Sequence, residues 1–320
     1  MISSKVLVTG ATGFVGEALV LRLLEDERFT PVAAMRDRAK LRVPCQLIID
    51  DFDLLEVLPE LRGINVIVHT AARVHVLHET SEDALVEFRR VNVAGTLNLA
   101  RQAAESGVKR FIFISSIKVN GERTLPGKPF TAVDIPAPMD PYGISKHEAE
   151  EGLRQLANET GMEIVILRPP LIYGPGVKAN FLSMLRWLDK GIPLPLGAIN
   201  NQRSLVAIDN LLDLIITCIT CPAAANRTFL ASDGEDVSTT QLLLYLAKAL
   251  NKKCWIIPVP HWVLRLVLIV FGQKHIAQRL CDSLQIDIKY TCDVLNWTPP
   301  VTMKTALKRT VRRYLNEQSK

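Results

Sequence analysis

Tyr142 and Lys146 are four residues apart, so a helix would place both side chains on one face. Tyrosine is almost fully protonated at neutral pH and needs a lowered pKa before it can exchange a proton with an alcohol oxygen. A nearby ammonium lowers that pKa because the opposite charge favours the phenolate. Ser115 and Ser116 follow an apolar run, and either hydroxyl could hydrogen-bond the reacting oxygen. The pattern therefore predicts proton transfer to or from a sugar or alcohol oxygen.

A glycine-rich turn lies far upstream of this pair, between a strand-like segment and a helical one. Glycine permits a tight turn and lets the backbone approach a pyrophosphate, while the N–H groups at the helix start face the anion. In this strand–turn–helix context the turn predicts a dinucleotide site. The expected cofactor-binding residues in it are Gly10, Thr12, Gly13, Phe14, Val15 and Gly16.

The residues after the second predicted strand bear on the choice of cofactor. A carboxylate about 20 residues after the turn would bind a ribose 2′-hydroxyl, whereas an arginine would accommodate a 2′-phosphate. Arg36 is the first side chain past the strand predicted at 32–35, and Arg38 follows closely. We therefore expect NADP(H). Because Asp37 lies between the two arginines, a strand end displaced by one residue would favour NAD(H) instead.

Further cofactor contacts are expected where the next two strands end. Asp51 and Phe52 follow the third strand, where an aspartate could meet adenine. The small residues Thr70, Ala71 and Ala72 follow the fourth strand and would let a cofactor lie across the strand ends. His69, just before them, is interpreted as structural.

Short apolar runs alternate with helical patterns through the first half of the chain. The runs are rich in Val and Ile and apolar throughout, as expected of parallel strands buried on both faces. This alternation predicts an α/β fold with a doubly wound parallel, or Rossmann, sheet. The predicted strands are 5–9, 32–35, 47–49, 66–69, 110–114 and 164–168, and the clearest predicted helices are 14–27, 81–106 and 142–159.

The regular alternation ends near residue 170, and proline and glycine recur beyond it. This change predicts a second, smaller α/β domain assembled from separate pieces. The expected first domain comprises residues 1–170 and about 203–226, and the second comprises about 171–202 and 227–320.

Charge and apolar patterning restrict the partners. The chain has 38 Lys and Arg against 33 Asp and Glu, and they are scattered, so we expect no nucleic-acid partner. A modest positive excess would suit an anionic small substrate. The longest apolar stretch, residues 261–272, is too short to span a bilayer, so no integral membrane segment is expected. Its near-continuous apolarity favours packing in the core over lying on a membrane surface.

The six cysteines show no disulfide-like pattern, and the first residues run straight into a strand. Both observations predict a cytoplasmic protein without a signal peptide. Cys218 and Cys221 form a C-x-x-C inside an apolar helical run, which favours core packing over a metal or redox site.

The motifs together resemble the extended short-chain dehydrogenases/reductases, of the NAD-dependent epimerase/dehydratase family. The resemblance covers nearly the whole chain. The segments that carry it are TGATGFVG (9–16), HTAA (69–72), NVAGT (92–96), SS (115–116), YGISK (142–146), RP (168–169), RSLVAID (203–209) and LNWTP (295–299).

The resemblance implies a Rossmann domain, a C-terminal domain for a UDP-sugar, and a homodimer formed through helices 81–106 and 142–159. By position it implies Ser116, Tyr142 and Lys146 as the catalytic triad. It also implies a cofactor contact at Asn92 and contacts to the nucleotide diphosphate at Asn180 and Arg203; an arginine can hold a diphosphate with two parallel bonds.

Ile117 and Lys118 depart from the family pattern, because sugar dehydratases there usually carry an Asp-Glu pair after the triad hydroxyl. Without an acid for the departing hydroxyl, dehydration is disfavoured. The segment 116–121 is similar to reductases of the C4 ketone in UDP-4-keto-6-deoxy-N-acetylhexosamines, which serve surface polysaccharide synthesis. We therefore expect such an NAD(P)-dependent reductase. The alternatives are a UDP-sugar 4-epimerase and a cofactor-binding regulator without catalysis. Lys118 could contact the sugar or point at solvent.

Overall fold

The computed structural model describes residues 3–37, 43, 45, 47–49, 56, 61–74, 81–125 and 127–318. The strands there are β1 (Ser4–Thr9), β2 (Phe29–Ala34), β3 (Leu47–Ile49), β4 (Val66–His69), β5 (Arg110–Ile114), β6 (Glu163–Arg168), β7 (Leu171–Tyr173), β8 (Arg203–Ala207), β9 (Arg227–Leu230) and β10 (Asp236–Val237). The α-helices there are α1 (Phe14–Leu24), α2 (Ser81–Phe88), α3 (Thr96–Glu105), α4 (Pro141–Thr160), α5 (Ala179–Asp189), α6 (Ile208–Thr220), α7 (Thr239–Leu250), α8 (His261–Val270), α9 (Lys274–Cys281), α10 (Lys289–Leu295) and α11 (Met303–Gln318).

Seven strands form one parallel sheet in the order β3-β2-β1-β4-β5-β6-β9. The order reverses direction between β1 and β4, so the carboxyl ends of these two strands border the crevice where doubly wound sheets bind ligands. The predicted doubly wound α/β fold is confirmed. This topology brings the glycine turn after β1 beside the residues that follow β4.

Helices cover both faces of the sheet because its strands are apolar on both sides. On one face, Leu19 of α1 and Leu211 of α6 belong to the same fully buried cluster as Val8. On the other face, Leu99 of α3 and Leu153 of α4 are equally buried. Complete burial of one such side chain stabilises the fold by about 1.5 to 3 kcal/mol, so these helices hold the strand ends in register.

Residues 81–105 form one continuous helical stretch, which agrees with the helix predicted at 81–106. Between α2 and α3 the chain winds as a π-helix over Arg89–Gly95. Such segments are frequent at functional sites. The neighbouring α4 is capped by Asp140, whose carboxylate accepts a hydrogen bond from the Gly143 N–H at 2.6 Å. Gly161 ends it in the left-handed conformation that glycine adopts readily.

A second sheet, in the order β10-β8-β7, lies in the C-terminal half. It packs with α5, α7 and α11 around Tyr173, Phe181 and Leu243, which are almost completely buried. Sheet pairing crosses the expected domain boundaries in two places. β8 was assigned to the first domain but belongs to this sheet, and β9 was assigned to the second domain but pairs with β6. The division into two domains otherwise stays a prediction.

The expectation that residues 261–272 pack in the core is wrong. Among the described side chains of α8, only Leu264 is buried, while Trp262, Leu266 and Val270 are exposed. Only one side of α8 packs against the core of the C-terminal half, around Tyr173, Phe181 and Leu243. The apolar side chains on its other side are therefore exposed to solvent. Among the described residues, no helix combines the length and the apolarity needed to cross a bilayer.

The C-x-x-C segment ends α6 and has a structural role. Cys218 is fully buried, and burial raises the pKa of its thiol. Arg110 donates hydrogen bonds from Nη1 to the carbonyl oxygens of Cys218, Ile219 and Cys221 at 2.5, 3.1 and 2.9 Å. A buried guanidinium therefore satisfies the last carbonyls of the helix. No cluster of metal-ligating side chains occurs in the part of the chain that the structure describes.

Candidate active site

The glycine turn leaves no room for side chains. Gly10 has a φ of +68°, and a Cβ there would lie 2.8 Å from the backbone nitrogen of Ala71. A Cβ on Gly16 would lie 2.2 Å from the carbonyl oxygen of Gly10. Gly13 donates its N–H to that same carbonyl at 2.8 Å and caps α1. The turn therefore brings bare backbone and the free N–H groups of the helix start to the crevice, as dinucleotide binding requires.

The residues after β4 are tied to this turn. Thr70 donates its hydroxyl to the carbonyl oxygen of Thr9 at 2.6 Å, and the Ala71 N–H points at the Thr9 hydroxyl at 3.4 Å. These bonds fix 70–72 against the glycine turn and give the crevice its small-residue wall. Contact of Thr70, Ala71 and Ala72 with a cofactor stays a prediction.

His69 is part of this framework, as its structural interpretation implied. Its Nδ1 lies 2.7 Å from the Thr9 hydroxyl, and its Nε2 lies 3.0 Å from the Thr96 hydroxyl. Thr96 donates its own proton to the carbonyl oxygen of Asn92 at 2.7 Å, so its oxygen is left to accept from Nε2–H. Burial, together with the charge of Lys146, lowers the pKa of His69 to about 3. The ring is neutral and held in one orientation.

Of the two serine candidates, Ser115 is committed elsewhere. Its hydroxyl donates to Oε1 of Glu150 at 2.6 Å. Glu150 is fully buried and also pairs with Arg168, 2.5 Å from Nη2 to Oε2. Burial acts to raise the pKa of Glu150, but the hydrogen bond and charge of Arg168 outweigh it and the pKa lies below its ordinary value. Ser116, by contrast, is part-buried and accepts only a long 3.3 Å bond from the Lys118 N–H, among the contacts described.

Tyr142 and Lys146 lie on one face of α4, as predicted from their spacing. Lys146 is almost completely buried and donates from Nζ to the carbonyl oxygen of Ile114 at 2.9 Å. The same Nζ lies 4.3 Å from the ring centre of Phe113 and 6.0 Å from that of Tyr142. The ammonium thus sits at the carboxyl end of β5, beside the phenol ring.

The pKa values of this pair differ from the simple expectation. Burial raises the pKa of Tyr142 above its ordinary value, and the Asp140 carboxylate adds to the rise. Burial also lowers the pKa of Lys146 to about 7, against the opposing effect of Glu150. Burial therefore outweighs the attraction between phenolate and ammonium that the sequence led us to expect. Each charged form alone is costly here, so the presence of one charge lowers the cost of forming the other.

Lys118 is paired with acidic side chains of the protein instead of extending alone into solvent. Its Nζ forms an ion pair with Asp140, and Glu122 lies 3.8 Å away. A Cβ on Gly143 would come within 2.9 Å of the Lys118 carbonyl oxygen, so the turn after Ser116 packs directly on the first turn of α4. Asp140, the partner of Lys118, is only two residues before Tyr142, and contact of Lys118 with a substrate stays a prediction.

Asn92 lies in the π-helical segment and is fully hydrogen-bonded within the protein. Its Oδ1 accepts the Arg73 N–H at 2.8 Å, and its Nδ2 donates to the Arg73 carbonyl and to the Ser145 hydroxyl, both at 3.1 Å. Asn92 therefore ties the segment after β4 to α4. These contacts indicate a positioning role, and direct contact with a cofactor stays a prediction.

The remaining predicted residues are spread over both halves. β2 ends at Ala34, one residue earlier than predicted, and both Arg36 and Asp37 are exposed beyond it. Asp51 and Phe52 lie outside the described residues. Asn180 is exposed on the first turn of α5. Arg203 is half-buried at the start of β8 and donates to the carbonyl oxygen of Asp282 at 3.1 Å.

The sequence patterns do not predict three residues of the site. Glu150 and Arg168 form the buried pair that holds Ser115, and Asp140 caps the helix of Tyr142. An Asp directly before Pro-Tyr is a helix-start signal that could have identified the cap. The buried pair joins residues 18 positions apart on different elements, and no local pattern marks it.

Comparison with known proteins agrees with this geometry. The model of the family described as "NAD dependent epimerase/dehydratase family" matches residues 6–230. UDP-glucose 4-epimerase from Vibrio cholerae is 48% identical over 326 residues, covering 98% of this chain and 97% of the relative. N-acetyl-alpha-D-glucosaminyl-diphospho-ditrans,octacis-undecaprenol 4-epimerase from Escherichia coli O157:H7 is 26% identical, covering 97% and 95%.

Solved structures show the same fold. The crystal structure of UDP-glucose 4-epimerase from Thermotoga maritima with UDP-glucose has a TM-score of 0.76 at 22% identity, covering 98% of this chain and 99% of that one. UDP-glucuronic acid 4-epimerase from Bacillus cereus, in complex with NAD, has a TM-score of 0.78 at 20% identity, covering 97% and 96%. At these identities the likeness establishes the fold alone.

Proposed function

We propose a function from one premise: the chain belongs to the NAD dependent epimerase/dehydratase family. It is an enzyme of that family, and we infer that it is a UDP-sugar 4-epimerase of the UDP-glucose or UDP-N-acetylglucosamine type. One observation carries this inference, namely 48% identity to a UDP-glucose 4-epimerase over almost the whole of both chains. The relatives thus favour the alternative over the C4 reductase that segment 116–121 led us to expect.

The glycine turn supports the binding of a dinucleotide, which we propose is NAD. The turn at Gly10, Gly13 and Gly16 admits only backbone, and the start of α1 supplies N–H groups for a pyrophosphate. We propose that this turn and residues 70–72 hold the cofactor. When bound, NAD supplies the chemistry of taking a hydride from the sugar and returning it.

Tyr142 is the proposed acid and base. Its phenolate takes the proton of the sugar C4 hydroxyl as the C4–H bond breaks, and its phenol returns a proton to the same oxygen when that bond re-forms. Ser116 hydrogen-bonds the C4 oxygen and holds it beside the phenol. Return of the hydride to the opposite face of C4 inverts the configuration of that carbon. The same residues therefore serve both half-reactions.

Lys146 makes this proton transfer possible. A buried phenolate is costly without a positive partner, and burial raises the pKa of Tyr142. Lys146 Nζ, 6.0 Å from the ring centre and anchored on the Ile114 carbonyl, is the cation placed to offset that cost. Proton loss from Tyr142 in turn stabilises the ammonium, so the titrations of the two groups are coupled.

The substrate is proposed to lie between the two halves of the chain. Arg203 and Asn180 are the proposed ligands of the nucleotide diphosphate, because a guanidinium fork matches phosphate oxygens. Lys118, held by Asp140 beside the first turn of α4, is the proposed contact near C4 to C6 of the sugar.

Product analysis distinguishes an epimerase from a reductase. The protein would be incubated with UDP-glucose, UDP-N-acetylglucosamine or a UDP-4-keto-6-deoxy-N-acetylhexosamine, each with NAD(H) or NADP(H). We expect a 4-epimer to form with no lasting change in absorbance at about 340 nm, where reduced nicotinamide absorbs. Consumption of one reduced cofactor per keto sugar, with no epimer, would establish the reductase instead.

Tyr142→Phe tests the proposed acid and base. We expect kcat to fall by about 10²- to 10⁴-fold while NAD affinity changes little, because the phenol serves proton transfer. Tyr245→Phe, on a helix of the other half, is the matched control and should keep full activity. Equal losses of turnover and NAD binding in Tyr142→Phe would contradict the assigned role.

The cofactor is proposed to be NAD, although NADP(H) was expected from Arg36. With β2 ending at Ala34, Arg36 and Asp37 both follow the strand and both are exposed. We expect NAD to bind at least about tenfold more tightly than NADP, because a carboxylate opposes a 2′-phosphate. Arg36→Ala should weaken NADP binding further and leave the Kd for NAD unchanged in a titration. Tighter binding of NADP by the wild type would restore the original expectation.

We also propose a homodimer, formed through the outer faces of the stretch 81–105 and of α4. These helices pack side by side, and Arg89 pairs with Glu148 across them at 2.6 Å. Val86 and Ala94 are exposed on the first of them. Two copies of this pair of helices would bury those apolar side chains.

A further inference from the structure

An apolar surface lies at the edge of the C-terminal half. It consists of Trp255, Trp262, Leu266, Ile269, Val270 and Phe271, which we call the α8 surface. All six side chains are exposed, Val270 and Phe271 by three-quarters. Exposed apolar side chains are ordinary when single, whereas several of them on one face of a helix mark an interaction site.

The α8 surface is built by two elements that point their apolar residues outward. On α8, Trp262, Leu266 and Ile269 follow helical spacing and form one outer stripe, while Leu264 faces the core. The extended segment before the helix alternates, with Trp255 exposed and Ile256 packed against the core. Leu194 anchors that segment to the domain, because it donates its N–H to the Trp255 carbonyl at 2.9 Å and accepts the N–H of Ile257 at 2.8 Å. The surface is therefore a fixed feature of the fold.

Three of the four tryptophans are exposed in the C-terminal half, two of them on the α8 surface. The chain has four tryptophans, and only Trp297 is buried. Trp255 and Trp262 lie on the α8 surface. Trp187 is exposed on α5, and its backbone carbonyl accepts the N–H of Ile192, two residues before Leu194. Tryptophan prefers the boundary between lipid headgroups and acyl chains, because its ring is apolar while its N–H needs a polar partner.

The charge of the same segment is one-sided. Residues 251–281 contain five of the 38 Lys and Arg and no Asp or Glu. The rest of the chain contains 33 basic and 33 acidic residues, whose charges cancel. The whole formal excess of +5 therefore comes from this segment. Two of its cations pair with acids outside it, Lys252 with Asp189 at 2.5 Å and Arg265 with Asp282 at 3.3 Å. Counting both acids, the segment keeps an excess of three positive charges.

We propose that the α8 surface binds the face of a lipid bilayer rich in anionic phospholipid. The apolar stripe would enter the boundary between headgroups and acyl chains, and the positive charge of segment 251–281 would attract the phosphates. With ten residues α8 is about 15 Å long, half the thickness of the hydrocarbon layer, so it lies on the bilayer rather than crossing it. A second copy of the chain is a poorer occupant, because a twofold contact would set two basic segments against each other.

Vesicle co-sedimentation of the full chain tests the proposal. We expect binding to phosphatidylcholine vesicles that contain phosphatidylglycerol, weaker binding to pure phosphatidylcholine, and release by about 0.5 M NaCl. Tryptophan emission should shift to shorter wavelength on binding. Trp262→Glu and Leu266→Glu should each lower the bound fraction about tenfold.

Leu244→Glu is the matched control, since Leu244 is an equally exposed leucine on α7 of the same half. It should bind vesicles like the wild type, and circular dichroism should show that all variants are folded. Two outcomes would overturn the proposal: no binding of the wild type to any vesicle, or equal binding by Leu266→Glu and Leu244→Glu. Conversion of a wild-type oligomer to a smaller species by Leu266→Glu would assign the surface to a second copy instead.

Discussion

Burial of the Lys146 ammonium lowers the stability of the fold but is proposed to help the reaction. The ammonium is buried among Phe113, Tyr142 and the end of β5, with one carbonyl as its described hydrogen-bond partner. Burial lowers its pKa from 10.5 to about 7, which means that the fold bears the cost of a desolvated cation. The proposed benefit comes only in the reaction, when Tyr142 loses its proton and the two charges stabilise each other.

Lys146→Met should therefore make the protein more stable and inactive. At pH 6 both folded and unfolded chains hold the lysine proton, and the full cost of burial acts against folding. As pH rises from 7 towards 10.5 only the unfolded chain keeps that proton, so the cost disappears. We expect the Met variant to exceed the wild type by about 3 kcal/mol at pH 6 and by much less at pH 10.

Urea unfolding at the two pH values measures this difference. Lys109→Met, at an exposed lysine next to β5, is the control and should change stability little at either pH. A Met variant of Lys146 that is less stable than the wild type at pH 6 would mean that the hydrogen bond to Ile114 outweighs the cost of burial.

At the scale of single elements, the glycine turn and α1 form the part of the site with the least steric freedom. A Cβ on Gly16 would overlap the Gly10 carbonyl oxygen, which itself accepts the N–H of Gly13. Helix and turn must therefore move apart if Gly16 carries a side chain. The backbone N–H groups at the start of α1 would move with them.

Gly16→Ala should abolish tight NAD binding even though alanine favours helices. We expect the NAD affinity to fall at least about tenfold, because a pyrophosphate needs the close approach of backbone that the turn provides. Gly161→Ala at the end of α4 separates this effect from stability: its φ of +74° makes alanine strained, but open space surrounds it. That variant should lose about 1 kcal/mol and bind NAD normally. Calorimetric titration checks both, and unchanged NAD binding by Gly16→Ala would contradict the proposed cofactor site.

The elements of the first half could be predicted closely from the sequence. Strands buried on both faces are apolar throughout, and the bounds predicted for β3, β4 and β5 agree with the structure. The glycine turn and the Tyr142–Lys146 spacing are local, so a linear pattern reveals them. The end of β2 was placed one residue late, since Met35 remains buried beyond the last ladder bond.

Features that depend on distant contacts could not be predicted in this way. β8 and β9 look alike as apolar runs, and only their partners decide that one joins the small sheet and the other the large sheet. The apolarity of α8 predicts burial all round, whereas the core contacts only one side of the helix. At the site, the buried ion pair between Glu150 of α4 and Arg168 of β6 joins two elements, and no local spacing in the sequence shows it.

At the scale of the whole molecule, the proposed dimer interface and the α8 surface lie in different regions of the chain. The helical stretch 81–105 and α4 lie on the sheet face opposite α1 and α6, whereas the α8 surface belongs to the C-terminal half. A dimer formed through the stretch 81–105 and α4 would therefore leave the α8 surface exposed in both copies. Two α8 surfaces on one particle would strengthen attachment to a bilayer through multivalency.

Val86→Arg combined with Ala94→Arg should split the proposed dimer into monomers. Both side chains are exposed on the outer face of the helical stretch, and Arg90 lies exposed between them, so the added cations repel their copies across a twofold axis. Sedimentation equilibrium at micromolar protein should show the mass falling from two chains to one. Val133→Arg, at an exposed valine in the loop before α4, should leave the dimer intact. A wild type that sediments as one chain, or a double variant that keeps the mass of two, would exclude these helices as the interface.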